Sequence, residues 1–253
     1  MDLHLKDKVV LVTGASHGLG KTVALMLAEE GARVGVNYRR NPEKAEEVLR
    51  EIAARGGTPA AAIPGDVAVE ADVAAMFDRL QDRLGPADAL VNNAAVCPVG
   101  PTAELSLDDF NHALGVNLTG TFLASRELIR RLLAAGRRGK IVNISSQAAF
   151  RGSQSGKTAY DASKMGIVGF TISLAREMAK HQINVNCVAP GLMDTDMLAP
   201  LIAADPEAFR RRVPLGRIGT PEEIGAMVLF LCSDRADYMT GATVDVSGGL
   251  AMH

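Results

Sequence analysis

Neither sign of charge is in large excess in this chain: over 253 residues the formal net charge is −2. That balance speaks against the basic surface that nucleic acid or an anionic membrane would select. No apolar run approaches the ~18 to 20 residues needed to cross a bilayer. The segment Met1–Lys8 has no apolar core followed by a small-residue cleavage site, so no secretory signal is expected. Cysteine is scarce, with Cys97, Cys187 and Cys232 widely separated among apolar or small neighbours. An odd count without close spacing speaks against a disulfide framework or a zinc site and fits reduced structural thiols. Cys97 follows Asn92-Asn93 and could approach a pocket, but it is expected to be unreactive. No cluster suggests a catalytic metal. A soluble, cytoplasmic protein without nucleic-acid or membrane partners is expected.

Hydrophobic residues make up 47% of the chain, ample for a core. Short β-branched runs alternate with longer amphipathic ones. Strands are expected at Val9–Val12, Arg33–Asn37, Pro59–Ile63, Ala89–Val91, Ile141–Ile144, Val185–Val188 and Thr243–Val246. Helices are expected at Leu19–Glu30, from Pro42 to a last turn followed by Gly56, at Glu70–Leu84, Leu107–Ala135, Tyr160–His181 and Pro221–Cys232. Ser106 with Asp109 and Thr220 with Glu223 have capping-box spacing. Seven strands with intervening helices predict an α/β fold, a doubly wound parallel sheet covered on both faces. No linker or repeat interrupts it, so residues 1–253 are expected to form a single domain. The least regular stretch, 191–219, carries Pro200, Pro206 and Pro214 and is either a substrate lid or a packed excursion.

Directly after the first strand runs Thr13-Gly14-Ala15-Ser16-His17-Gly18-Leu19-Gly20, then a helix. Glycines there permit a tight turn and close approach to a pyrophosphate, and the helix N-terminus favours the anion, as in a Rossmann dinucleotide site. Asp66-Val67 and Asn92-Asn93-Ala94-Ala95 follow the third and fourth strands, at the sheet edge where such folds bind ligands. The second strand ends Asn37-Tyr38-Arg39-Arg40, with no acid to accept from a free ribose 2′-hydroxyl. Arg39 and Arg40 suit a 2′-phosphate instead, so NADP is favoured over NAD.

Tyr160-Asp161-Ala162-Ser163-Lys164 opens an apolar helical pattern. Four residues apart on a helix, phenol and ammonium share a face. A positive neighbour favours the phenolate, so Lys164 is expected to lower the pKa of Tyr160 from its ordinary value near ~10 toward neutrality.

Jointly these motifs, across nearly the whole chain, resemble the short-chain dehydrogenase/reductase family. Asn37-Tyr38-Arg39, Pro214-Leu215-Gly216-Arg217 and the Gly248-Gly249 ending resemble its 3-oxoacyl-[acyl-carrier-protein] reductase-like branch. The resemblance implies that Tyr160 is the acid/base and that Lys164 tunes it and holds the nicotinamide ribose. It implies a hydrogen bond from Ser146 to the substrate oxygen, and a relay water held by Asn117. Gly14, Ser16, Gly18, Leu19 and Gly20 would form the phosphate loop, Asp66 and Val67 the adenine contact, and Asn93 and Ala94 the cofactor-side turn. Pro190, Gly191 and Thr195 would face the nicotinamide carboxamide, and the assembly would be a homotetramer.

Three positions depart from the family pattern. Ser146 lies fourteen residues before Tyr160 rather than the usual thirteen, which an inserted residue within 151–158 would explain; Ser145 is the alternative serine. Ala95 replaces a glycine, so either that turn needs no positive φ or its backbone differs. His17 stands where many NADP-using relatives carry Arg or Lys. The expected reaction is NADP(H)-dependent interconversion of a ketone and a secondary alcohol. The alternatives are an NAD-linked sugar or cyclic-alcohol dehydrogenase and a non-catalytic dinucleotide sensor.

Overall fold

The computed structural model describes residues 1–194 and 205–252. Seven strands, β1 (Val9–Val12), β2 (Arg33–Tyr38), β3 (Ala60–Pro64), β4 (Ala89–Asn92), β5 (Gly139–Ile144), β6 (Ile183–Pro190) and β7 (Thr243–Val246), form one sheet in the order β3-β2-β1-β4-β5-β6-β7. Every pairing is parallel. The described helices are α1 (Gly18–Glu29), α2 (Pro42–Ala54), α3 (Glu70–Leu84), α4 (Leu107–Leu114), α5 (Gly120–Ala134), α6 (Ala148–Arg151), α7 (Thr158–Met178), α8 (Pro206–Arg212) and α9 (Pro221–Cys232). A parallel sheet needs cover on both faces, which is why its central strands read as unbroken apolar runs. Alternate residues point to opposite sides. Val10, Val12, Val34 and Val36 pack with α1, α2 and α9, while Val9, Leu11, Ile63 and Leu90 pack with α3, α5 and α7.

The order reverses between β1 and β4, so the chain leaves these neighbours in opposite directions and opens a crevice at their carboxyl ends. Thr220 and Glu223 form the expected capping box, and Ser106 caps α4 by accepting from the Asp109 N–H. One departure matters for the site. The helix expected over Leu107–Ala135 is interrupted by a π turn at Gly115–Thr119, and Asn117 sits in it, fully buried. The 191–219 excursion is closed at its base by a bridge between Met193 and Gly219. Thr195, with the rest of 195–204, lies outside the described residues, so that part of the expected lid is not described.

Candidate active site

The turn after β1 is built around a hub that the sequence did not reveal. The Thr13 hydroxyl accepts from the N–H groups of Asn93 and Ala94 (2.9 and 3.0 Å), which locks the β1 turn to the β4 turn. Asn93 closes the other side by donating Nδ2 to the Thr13 and Gly14 carbonyls at 2.9 and 3.1 Å. Gly14 has φ +61°, and a Cβ there would lie 2.9 Å from the Ala94 Cα. A side chain is excluded both by conformation and by space. Ala95 has no such requirement: among described non-glycine residues only His4, Asp7 and Gln182 have left-handed φ.

A dinucleotide fits this turn. The N-cap of α1, His17, supplies no side-chain hydrogen bond to the first helical N–H groups. A methyl group added at Gly18 would meet nothing within 4 Å, so the backbone there faces open space. Uncapped N–H groups facing a clear approach are what a pyrophosphate requires. The Leu19 side chain is buried, so only its backbone could meet a phosphate. Ser16 pairs with His17, Oγ to Nδ1 at 3.2 Å. At the far end, Arg39 Nη1 lies 3.3 Å from Asp66 Oδ2, so the residue expected at a ribose 2′-phosphate is tied to the one expected at the adenine. Arg40 is exposed beside them, while Val67 is buried against Gly120.

Asn37 is corrected. Expected to touch the cofactor, it is only 2% exposed and turned inward. Its Oδ1 accepts from the Gly14 N–H at 3.0 Å, and its Nδ2 donates to the Ile63 and Gly65 carbonyls, both at 3.1 Å. It sets the shape of the glycine turn from behind. Tyr38, at the strand end, is partly exposed, and Arg39 follows it.

The second half of the site assembles where α7 meets β5. Tyr160 and Lys164 lie in the first two turns of α7, with Lys164 Nζ 5.5 Å from the centre of the Tyr160 ring. Lys164 Nζ donates to the Ile144 carbonyl at the end of β5 (2.7 Å). The two serines face different ways. Ser145 is buried and donates to the Lys164 carbonyl at 2.8 Å, whereas Ser146 is partly exposed, accepts from the Ala148 N–H at 3.1 Å and lies near enough to Tyr160 to act on its phenol. Helix α7 is held to the sheet by a buried chain of polar groups: Asn92 Nδ2 donates to Asn143 Oδ1 (2.8 Å), and Asn143 Nδ2 to Thr171 Oγ1 (2.9 Å). Each member is satisfied, so the chain specifies one seating of the helix.

Two expectations about this half are revised. Burial pushes the Tyr160 phenol up to about 12, against the Ser146 hydrogen bond that lowers it. Burial likewise pushes the Lys164 ammonium down to about 8. Leaving water is the largest cause for each group and neither is shifted by the other, so the lysine does not bring the phenol toward neutrality. Tyr160 therefore keeps its proton throughout the neutral range. The Asn117 side chain bonds elsewhere than Lys164: Oδ1 accepts from the Val96 N–H (2.8 Å), and Nδ2 donates to the Val96 carbonyl and Ser163 Oγ, both at 2.9 Å. Ser163 in turn donates to the Tyr160 carbonyl (2.6 Å), so the Asn117 amide positions the β4 turn against α7.

Pro190 and Gly191 complete the edge. The Pro190 carbonyl accepts from the Gln147 N–H (2.9 Å), and a Cβ at Gly191 would lie 2.6 Å from the Ser247 Cα. Cys97, partly buried beside the pair, has its thiol raised by burial, consistent with an unreactive group.

Comparison with known proteins agrees with this geometry. Residues 14–251 match the family described as enoyl-(acyl carrier protein) reductase. The chain is 39% identical to the 3-oxoacyl-[acyl-carrier-protein] reductase FabG of Aquifex aeolicus, covering 99% of this chain and 100% of the relative. It is 40% identical to the same-named protein of Pseudomonas aeruginosa over 99% of this chain and 100% of that one. A short-chain type dehydrogenase/reductase from Mycobacterium marinum superposes with a TM-score of 0.92 at 36% identity, covering 100% of this chain and 98% of that one. A chain from Agrobacterium tumefaciens described as a putative 2-deoxy-D-gluconate 3-dehydrogenase with bound NADP gives 0.88 at 38% identity, covering 98% of each. With its parallel sheet, glycine turn and Ser146–Tyr160–Lys164 cluster, the chain belongs to the short-chain dehydrogenase/reductase family, in its 3-oxoacyl-[acyl-carrier-protein] reductase-like branch.

Proposed function

We propose that the protein is an NADP(H)-dependent oxidoreductase interconverting a ketone and a secondary alcohol, with 3-oxoacyl thioesters as the first substrate class to test. The observation that carries this is the meeting of the Ser146 and Tyr160 hydroxyls beside Lys164, at the sheet edge that also bears the glycine turn. Bound NADPH supplies the hydride. Tyr160, proton-loaded at neutral pH, donates to the carbonyl oxygen as negative charge grows there. Ser146 donates a second hydrogen bond to the same oxygen, worth most in the transition state. Lys164, anchored on Ile144, carries positive charge beneath the phenol and faces the ribose side of the site. Arg39 and Arg40 receive the 2′-phosphate, which in this reading draws Arg39 from Asp66.

A second reading is supported by the groove between Val99–Thr102 and Ser153–Thr158. Its volume is about 520 Å³, and it holds the hydroxyls of Thr102, Ser153, Ser155 and Thr158 and the Gln154 amide beside Val99 and Pro101, without an aromatic residue. Hydroxyls and an amide suit a polyol, in keeping with the gluconate-type names among structural relatives. A steady-state screen of 3-oxoacyl thioesters, cyclic ketones and sugar acids with both cofactors separates the readings. Tyr160→Phe decides the mechanism: turnover is expected to fall by about 10²–10⁴ with cofactor affinity retained. Unchanged turnover removes Tyr160 from the reaction. A homotetramer is supported by exposed Phe122 and Leu133 on α5 and Met165 and Ile172 on α7, two helices joined by an edge-to-face contact of Phe122 with Phe170. Light scattering tests it.

A further inference from the structure

We propose that Asp161 is a positioning residue for this reaction, holding the 152–157 loop as the substrate-side wall beside Tyr160. The inference rests on the assignment of Tyr160 as proton donor. Asp161 follows Tyr160 in the first turn of α7, and its Oδ1 accepts from Ser153 Oγ at 3.0 Å. The loop it holds is pinned at two further points. Gly156 meets the Val99–Thr102 segment backbone to backbone: its carbonyl accepts from the Gly100 N–H at 2.9 Å, and an added Cβ would lie 2.4 Å from the Gly100 oxygen. The Thr102 and Thr158 hydroxyls are 3.2 Å apart. These links border the groove, and of the three only the Ser153 bond ends on a carboxylate. Hydrogen bonds to an ionised acceptor are the stronger kind.

Position and charge act together at Asp161. The groups facing Tyr160 are Ser146 from the turn after β5, Cys97 from the turn after β4, and Asp161 and Lys164 from α7 itself. Lys157, in the loop, and Asp161 both act on Cys97. Asp161 is the one carboxylate in this set. Burial is the main reason that Tyr160 stays an acid, and a negative charge here adds to it in the same direction. Loss of the Ser153 bond leaves the wall to be ordered when substrate binds, which weakens binding without touching the proton transfer.

Three variants separate these contributions. Ser153→Ala removes the bond and keeps the charge, Asp161→Asn keeps an acceptor and removes the charge, and Asp161→Ala removes both. In ketone reduction, Ser153→Ala is expected to raise KM about fivefold, the worth of one hydrogen bond, with kcat and its pH profile unchanged. Asp161→Asn, whose amide oxygen is a weaker acceptor, is expected to raise KM less than Ser153→Ala and to move the alkaline fall of kcat to lower pH; Asp161→Ala is expected to raise KM as Ser153→Ala does and to move the profile as well. Tryptic cleavage after Arg151 or Lys157 should quicken in Ser153→Ala and Asp161→Ala at unchanged unfolding midpoint. If Asp161→Ala fails to fold, the other two variants decide. Wild-type KM and cleavage in Ser153→Ala, or an unmoved profile in Asp161→Asn, would overturn the proposal while Tyr160 stands. A wild type that turns over no ketone defeats the functional reading and this inference with it, a result distinct from active variants that match wild type.

Discussion

Replacing Asn37 with Ala tests whether the glycine turn is shaped from behind. The substitution removes an acceptor from the Gly14 N–H (3.0 Å) and donors from the Ile63 and Gly65 carbonyls (3.1 Å each). With the side chain 2% exposed, water has no ready access to replace them. At about 1 kcal/mol net per bond, the loss is about 3 kcal/mol. For a chain of this size that lowers the unfolding midpoint by roughly 6–12 °C, measurable by calorimetry. The freed Gly14 N–H also lets the turn move, so NADPH affinity should weaken about fivefold, the worth of one bond, in a fluorescence titration. Asn37→Asp supplies an internal check. Its carboxylate would face two carbonyl oxygens, which raises its folded-state pKa above the unfolded value. Its stability deficit should therefore shrink on acidification and grow as pH rises. A midpoint and NADPH affinity unchanged in Asn37→Ala would refute the reasoning.

Ser146→Ala should lower kcat by about 10²–10³ with little change in KM, since the bond it removes strengthens as charge develops on the oxygen. An effect confined to KM would place Ser146 in ground-state binding only. Arg39→Ala should raise the KM for NADPH while sparing that for NADH, because only the phosphorylated ribose needs the guanidinium; equal losses with both cofactors would show a structural role through Asp66. The two directions of reaction should differ in pH dependence. Reduction needs the phenol protonated, which a value raised to about 12 provides across the neutral range, so its rate should be flat there. Oxidation needs the phenolate and should accelerate as pH rises through the same range. An oxidation rate independent of pH from neutrality upward would contradict a phenol held that high.

Much of the architecture was legible because its signals are local. Val9–Val12 and Ile141–Ile144 could only be buried strands, and Thr220 with Glu223 announced the start of a helix. Tyr160 and Lys164 were visible as a pair because a helix fixes the geometry of residues four apart. The π turn carrying Asn117 was not visible: Gly115-Val116-Asn117-Leu118-Thr119 contains no proline to break the helix. Its irregular backbone is selected by contacts with Val96 and Ser163, which lie 21 and 46 residues away. The role of Thr13 was not legible for a similar reason. A lone hydroxyl beside a glycine turn says nothing until the β4 turn arrives to donate to it.

The order of strands and helices, the apolar faces, and the presence of a phenol, an ammonium and a glycine turn at strand ends are properties of neighbouring residues, and the sequence determined them. The side to which Asn37 turns, the choice of Ser146 over Ser145, the pairing of Arg39 with Asp66 and the protonation of Tyr160 and Lys164 were decided by tertiary structure. The reason is physical. Hydrogen-bond partners and removal from water depend on segments far apart in the chain packing to within an ångström, and no local pattern encodes that distance.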